Sequence, residues 1–226
     1  MCSRFLELYA GYTLTTGSRG MVRATMNDGT SLTLGRDSDA TLDSFEFDAT
    51  SGTGGFDATV RRGGFEYESG ELGSFAMNRQ HSSISTPAGV IGVRGTKIEA
   101  VINPNGTITM RVPRGSVDFT NVSGITYSVN PDTGVVSINT EQMTGADPAQ
   151  IEAINNFISV LETELTEAVQ AAGKDSGEGS DEEDGEFQTE LEGTVESDDS
   201  GGVGDLEIDD EGDLKPVSPI GGDNQT

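Results

Sequence analysis

Site chemistry needs groups that exchange protons, attack or ligate, and this sequence offers few. Its single histidine, His81, lies in Asn78-Arg79-Gln80-His81-Ser82-Ser83, a polar connector between two expected strands. His81 could serve as a base for Ser82 or Ser83, but adjacency in sequence does not make a nucleophile–base pair. No acidic residue is placed to orient the ring, so a solvated loop histidine is the plainer reading. Glu66, Glu68 and Glu71 fall in and after FEYES, and the alternation puts Glu66 and Glu68 on one face. Paired carboxylates can share acid–base work, yet a solvated sheet face explains them equally. One histidine and one cysteine, Cys2, leave no soft metal-ligand cluster and no internal disulfide. Gly89, Gly92 and Gly95 lack the GxGxxG spacing, the following Lys-Ser/Thr and the helix of a phosphate cradle.

Arg94 is the more informative residue. It stands between Val93 and Gly95 inside Ala88–Ile102, the longest apolar segment of the chain. An unpaired guanidinium in such surroundings is costly, so a carboxylate or carbonyl partner within the domain is expected. The alternative is recognition of a partner's carboxylate. On the first reading Arg94→Ala lowers thermal stability markedly. The inventory predicts a non-enzymatic protein without cofactor.

The elements that hold these residues read as strands. MVRATM and SLTL flank Asn27-Asp28-Gly29, a strong hairpin signal because a tight turn needs positive φ. Further strands are expected in ATLDSFEFD, FDATVRR, FEYES, TITMRV, SVDFTN, GITYSV and VVSIN. Turns are expected at Gly63-Gly64, Asn103–Gly106, Pro113-Arg114-Gly115 and Asn130–Gly134. Glycines inside Ala88–Ile102 suggest bulges or close backbone approach. The spacing predicts an all-β sandwich, roll or barrel over 1–140.

The pattern changes at Asp147-Pro148-Ala149-Gln150, which has the form of an N-cap, a first-turn proline and a capping-box glutamine. Apolar residues then recur at Ile151, Ile154, Ile158, Leu161, Leu165 and Val169, with Glu152, Glu162, Glu164 and Glu167 off the stripe. An amphipathic helix is predicted over 147–172, docked on the β-domain or holding a partner.

Charge is uneven. The chain carries 13 Lys+Arg and 39 Asp+Glu; residues 173–226 hold 2 basic and 19 acidic residues and only 9 Leu, Ile, Val or Phe. So few large apolar groups cannot offset the entropy lost on ordering, and the segment reads as a disordered tail. The acidity argues against nucleic acid and against anionic lipid bound through a basic surface. Weak divalent-cation attraction is expected of the tail. Gly201–Asp209 approaches two calcium motifs without completing either. No run approaches the roughly 20 apolar residues that cross a bilayer.

Thr86-Pro87-Ala88-Gly89-Val90-Ile91-Gly92-Val93-Arg94-Gly95-Thr96, continuing KIEAV, resembles the central run of the FecR-like domain family, named for the regulator of ferric-dicitrate uptake. LTTGSRGMVRATMNDGTSLTLGRDSDATL upstream and MRVPRGSVDFTN downstream are similar to the family's opening and closing segments, so the likeness spans about 11–122. The resemblance implies an extracytoplasmic all-β module for protein contact and signal relay, with Thr86, Pro87, Gly92, Val93, Arg94, Gly95 and Thr96 mainly structural. In the regulators that name the family, a cytoplasmic segment and a membrane helix act on a sigma factor; this sequence shows neither. The family usually has a leader and a first strand before the turn at Gly11–Gly17. A true start upstream of Met1 is therefore expected, the alternative being a replacement strand in MCSRFLELYA.

The resulting expectation is a roll, solenoid-like or sandwich β-domain, one amphipathic helix and an acidic tail over 173–226. Its expected role is a non-enzymatic periplasmic or secreted module contacting an envelope or extracellular protein, in envelope sensing or signal relay. The alternative is a secreted surface or matrix protein that binds glycan or acts as scaffold.

Overall fold

The computed structural model describes residues 8–76, 79–174, 205–208 and 214–217. Among these, the alternating stretch resolves first into β1 (Thr13–Thr16), β2 (Val22–Thr25), β3 (Ser31–Leu34), β4 (Asp39–Asp48) and β5 (Thr53–Glu68). A short helix, α1 (Glu71–Phe75), precedes β6 (Ser82–Thr86), β7 (Gly89–Ile102) and β8 (Ile108–Asn121). Then come β9 (Thr126–Val129), β10 (Val136–Ile138), β11 (Met143–Gly145), the long helix α2 (Pro148–Lys174), β12 (Asp205–Ile208) and β13 (Leu214–Val217). The strands form one hydrogen-bonded sheet system around a single apolar core.

Three long strands dominate, and each changes neighbours midway. β5 pairs with β4 and β6 through its first half, then with β3 and β7 through its second. β7 pairs with β6 and then β5 on one side, and with β8 along its whole length on the other. Such lengths require each strand to bend round the core without losing its inward residues.

Glycines at positive φ make that possible. In β5 the buried residues are Phe56, Ala58 and Val60, then Phe65 and Tyr67. The inward phase therefore slips by one between Val60 and Phe65, where Gly63 sits at φ 87° and the β4 register shifts. β7 slips in the same way between Val93 and Ile98 at Gly95 (φ 86°), and β8 between Val112 and Val117 at Gly115 (φ 81°). Each is a bulge, whose extra residue moves the next side chains to the opposite face. The sequence reading placed turns at Gly63-Gly64 and Pro113-Arg114-Gly115; the structure corrects both to bends inside continuous strands. The Asp28-Gly29 hairpin does form, closed by Met26 N–H donating to Thr30 O at 2.8 Å.

α2 begins at the expected capping box. Gln150 N–H donates to Asp147 Oδ1 at 2.9 Å, and Gln150 Oε1 accepts from Asp147 N–H at 3.0 Å. Its docked face is rotated from the expected stripe. Ile154, Ile158, Leu161 and Glu164 are buried, whereas Ile151 is exposed. The rotation follows from what the sheet offers. Phe157 lies over Gly35 and Gly64, where an added Cβ would stand 2.4 and 2.6 Å from its ring. Arg36 meets Glu164 at 2.8 Å, which explains an acidic residue on the docked face.

β12 pairs in parallel with β1, and β13 returns antiparallel beside β12. Within the expected tail over 173–226, the described residues beyond α2 are these two four-residue strands. The average composition of 173–226 conceals one short alternating stretch, DLEI, whereas LKPV does not alternate. Gly173 and Lys174 end α2. The remainder of the tail expectation, Cys2, and most of MCSRFLELYA lie outside the described residues. Residues 205–208 of the suspected calcium segment have extended backbone.

Candidate functional site

The GVRGT run lies where β7 slips phase, so its residues separate into inward and outward roles. Thr86 ends β6, and its hydroxyl donates to Gly89 O at 2.8 Å; Pro87 occupies the turn into β7. Gln80 packs across Gly92, where a Cβ would stand 2.6 Å from its Oε1. Val93 is fully buried. Arg94, next in the alternation, faces outward ahead of the bulge at Gly95, and Thr96 falls opposite Gly115.

Arg94 is therefore not a buried charge. Its side chain is 44% exposed and forms an ion pair with Asp118 on β8. The expected carboxylate partner inside the domain exists, but the apolar enclosure does not, because Arg94 alternates with the buried Val93 and so faces outward before the phase slips. An exposed pair contributes at most about 1 kcal/mol. Arg94→Ala should lower stability by no more than about 1 kcal/mol, read from urea unfolding; a larger loss would mean that the pair bears on the bulge itself.

α1 is held over the bulge by Asp28. Its Oδ2 accepts from Leu72 N–H at 3.2 Å and Thr30 Oγ1 at 2.7 Å, while Oδ1 accepts from Thr30 N–H at 2.8 Å. Asp28 O also accepts from Glu71 N–H at 2.8 Å. The turn residue of the first hairpin thus anchors a second element. Gly73 of α1 lies against the bulge, its carbonyl 3.3 Å from where a Gly95 Cβ would be. The Asp-Gly pair signalled a turn, but nothing local to it pointed to residues 70–72.

Beneath α1 runs a buried polar chain that corrects the view of His81 as a solvated loop residue. His81 is buried; its Nδ1 lies 2.7 Å from Ser82 Oγ, which lies 2.7 Å from Tyr67 Oη. Burial pushes the Tyr67 phenol up to about 12 despite the Ser82 hydrogen bond. Burial also holds the His81 imidazole below its ordinary value of 6.5, against an opposing pull from Asp28. His81 Nε2 has no hydrogen-bond partner. The pair resembles a base beside a hydroxyl, but Ser82 is 2% exposed. A nucleophile sealed from substrate is a structural hydroxyl.

This burial has a pH consequence. Because the folded-state pKa of His81 is depressed, the unfolded chain takes up its proton first as pH falls. The stability His81 supports is fully present above about pH 6.5 and declines as pH drops through that value toward the folded pKa. Urea midpoints for wild type should fall between pH 7.5 and 5.5, and His81→Gln should flatten that decline. Parallel pH curves would rule out His81 as the source.

The outward face of β5, β7 and β8 carries a ladder of opposite charges. Arg114 reaches Glu68 at 2.9 Å, Lys97 reaches Glu66 at 2.8 Å, and Arg111 pairs with Glu99. Glu66 and Glu99 lie directly opposite each other in the β5–β7 register, with Lys97 Nζ 3.9 Å from Glu99. Burial works to lower the Lys97 pKa, but the hydrogen bond and charge of Glu66, with the charges of Glu99 and Glu68, hold it above its ordinary value. Each carboxylate of this face is thus engaged by a cation, which leaves no acid–base couple at the pair considered from sequence. Arg111 also donates to Asn155 Oδ1 at 2.9 Å, tying the ladder to α2. From Asp118 and Arg94 to Arg111, the face is charged, solvent-facing at one end and buried at the other.

Among the described residues no group of His, Cys, Asp and Glu could hold a metal ion. No helix among them is long and apolar enough to cross a membrane. A groove of about 310 Å³ opens between α2 and the sheet, lined by Gly35, Arg36, Gly64, Val101, Phe157 and Leu161. It is the seat of the helix.

A comparison with curated proteins finds no match. Two crystal structures of a protein from Parabacteroides distasonis ATCC 8503, provisionally described as an anti-sigma factor, are similar at 13% identity, with TM-scores of 0.43 and 0.44. The alignments cover 62% of this chain and 63% and 62% of those chains, so this chain spans less than two thirds of their length. The family model described as FecR protein matches residues 12–118, which run from the start of β1 through the bulge to Asp118. Over residues 12–118 this chain is similar to FecR-type domains.

Proposed function

We propose that this chain is a non-enzymatic protein-interaction module of the cell envelope, acting in sensing or signal relay. The family is one of signalling and regulation. The observation that carries the finer reading is the charged face around the GVRGT bulge. There the fold turns Arg94 out of the core and sets it beside Asp118, near the Arg114–Glu68 pair. Mixed exposed charge, arranged on rigid strands rather than loops, favours specific and electrostatically steered protein contact. The reactive groups present are sealed or neutralised: Ser82 is buried and Glu66 is engaged by Lys97. Extracytoplasmic placement follows the family's general habit.

The test is quantitative capture from an envelope fraction of the native organism. Wild-type chain and the double variant Arg94→Glu/Arg114→Glu serve as bait, after both are shown to unfold at similar urea concentrations. The reading expects one or a few envelope proteins retained by wild type and reduced at least tenfold with the variant. Equal retention by both baits would remove this face from the account. Retention on polysaccharide, with no protein lost by the variant, would favour a glycan-binding or scaffold role.

A further inference from the structure

The edge of the sheet at β1 offers a second surface. β1 is four residues long and is bonded on one side to β4, with Leu14 opposite Ala40. Its other side carries β12 alone, in parallel register: Thr13 to Asp205, Leu14 to Leu206, Thr15 to Glu207 and Thr16 to Ile208. Among the described residues, β12 is hydrogen-bonded to the domain only through β1, and its outer side holds β13, where Pro216 stands opposite Leu206. A strand edge left bare presents unpaired N–H and C=O groups and is a template for another strand. Here a segment of the same chain covers it, after thirty residues (175–204) that contain twelve acidic and no basic residues.

We infer that the β1 edge is a strand-acceptor site for an extended segment of a protein partner, and that β12 is a displaceable cover over it. The inference rests on the reading of this domain as a protein-binding module and names a docking mode for it. Three observations support it. Four residue pairs in one parallel ladder are a small contact. A cover carried on the same chain competes intramolecularly, at an effective concentration on the order of 1 mM that keeps the edge covered yet open to competition. Pro216 in β13 supplies no backbone N–H, which blunts the outer edge of the cover and limits further strand addition there.

The register also specifies the competitor. Leu14 and Thr16 are the inward residues of β1, 2% exposed each, and they lie opposite Leu206 and Ile208. Neighbours across a ladder share a face. A displacing segment therefore runs parallel to β1, with apolar residues opposite Leu14 and Thr16 and polar residues opposite Thr13 and Thr15. Backbone pairing supplies its affinity, and the alternate positions supply its selectivity.

The test uses the full chain and a synthetic peptide of residues 201–219, so it needs no envelope partner. Glu207→Pro/Ile208→Pro removes two adjacent N–H groups of β12, at least one of which faces β1 in a parallel ladder. Amide exchange at Thr13–Thr16 should accelerate in this variant while Phe65–Tyr67 stays protected. The labelled peptide should bind the variant about tenfold more tightly than wild type. That ratio is expected for a site of roughly 0.1 mM affinity competing with a cover near 1 mM. Peptide binding should restore protection at 13–16, and a peptide with the same two prolines should not. Unchanged exchange at 13–16, or equal peptide binding by both chains, would overturn the inference. Either result would leave the Arg94–Arg114 face untouched, and loss of envelope capture through that face would leave this edge untouched.

Discussion

Gly63→Ala should lower the stability of the β-domain by about 3 kcal/mol, the combined scale of left-handed backbone strain and forced overpacking. Two costs meet at this residue. At φ 87° an L side chain crowds its own carbonyl, and a Cβ here would stand 2.1 Å from Ser38 Oγ and 2.6 Å from Ser38 Cα. The hydroxyl could rotate, but Cα belongs to the backbone entering β4 and cannot yield without disturbing the β4–β5 register. Gly106→Ala separates the two contributions. Gly106 has φ 81° with nothing within 4 Å of its added Cβ, so only the strain remains and about 1 kcal/mol is expected. Thermal unfolding of both variants measures the difference, with Gly63→Ala falling by roughly 10 °C for a domain of this size. Equal losses would show that Ser38 moves aside and that the bulge is less constrained than its geometry indicates.

Arg111→Met should be the most damaging change on the charged face, costing about 3 kcal/mol. Glu99 is 4% exposed, and its carboxylate depends on Arg111 at one oxygen and on Lys97, 3.9 Å away, at the other. Removing Arg111 leaves a buried carboxylate short of charge and of a hydrogen bond. The Asn155 contact that ties α2 to the face is lost as well. Arg111 is itself 30% exposed, so solvent relieves part of the cost and keeps it at the lower end for a broken buried pair. Arg111→Met/Glu99→Leu removes both ends and should recover most of the loss. A double variant as unstable as the single one would mean that Asn155, not Glu99, carries the effect.

These two sites also mark what the sequence could convey. Period-two alternation, the Asp28-Gly29 turn and the Asp147–Gln150 capping box act over a few residues, and each appears where the local pattern placed it. GVRGT was recognisable for the same reason, as one contiguous run. What escaped was set by distant partners. Gly63 and Gly115 look like turn residues locally; only the continuing strands on either side show them to be bulges. Arg94 looked enclosed because its neighbours are apolar, yet it alternates with the inward Ile91 and Val93, and only the pairing of β7 with β8 shows its outward place beside Asp118. His81 looked solvated in a polar connector, yet α1, anchored by Asp28 some fifty positions earlier, closes over that region. Glu164 lay off the expected stripe until Gly35 and Gly64 supplied a seat for Phe157 and Arg36 supplied a partner. Composition averaged over 173–226 hides the four-residue alternation at 205–208, and LKPV at 214–217 carries no alternation to read.

The central claim, that the face around the GVRGT bulge contacts an envelope protein, is tested most directly by site-specific photo-crosslinking in the native organism. A photoreactive residue replaces Arg114, whose side chain is 68% exposed, and in a second strain it replaces Glu46 on β4 as a control. The account predicts one discrete adduct from position 114, absent from position 46 and lost when Arg94→Glu is added. No adduct from position 114, or the same adducts from both positions, would contradict it.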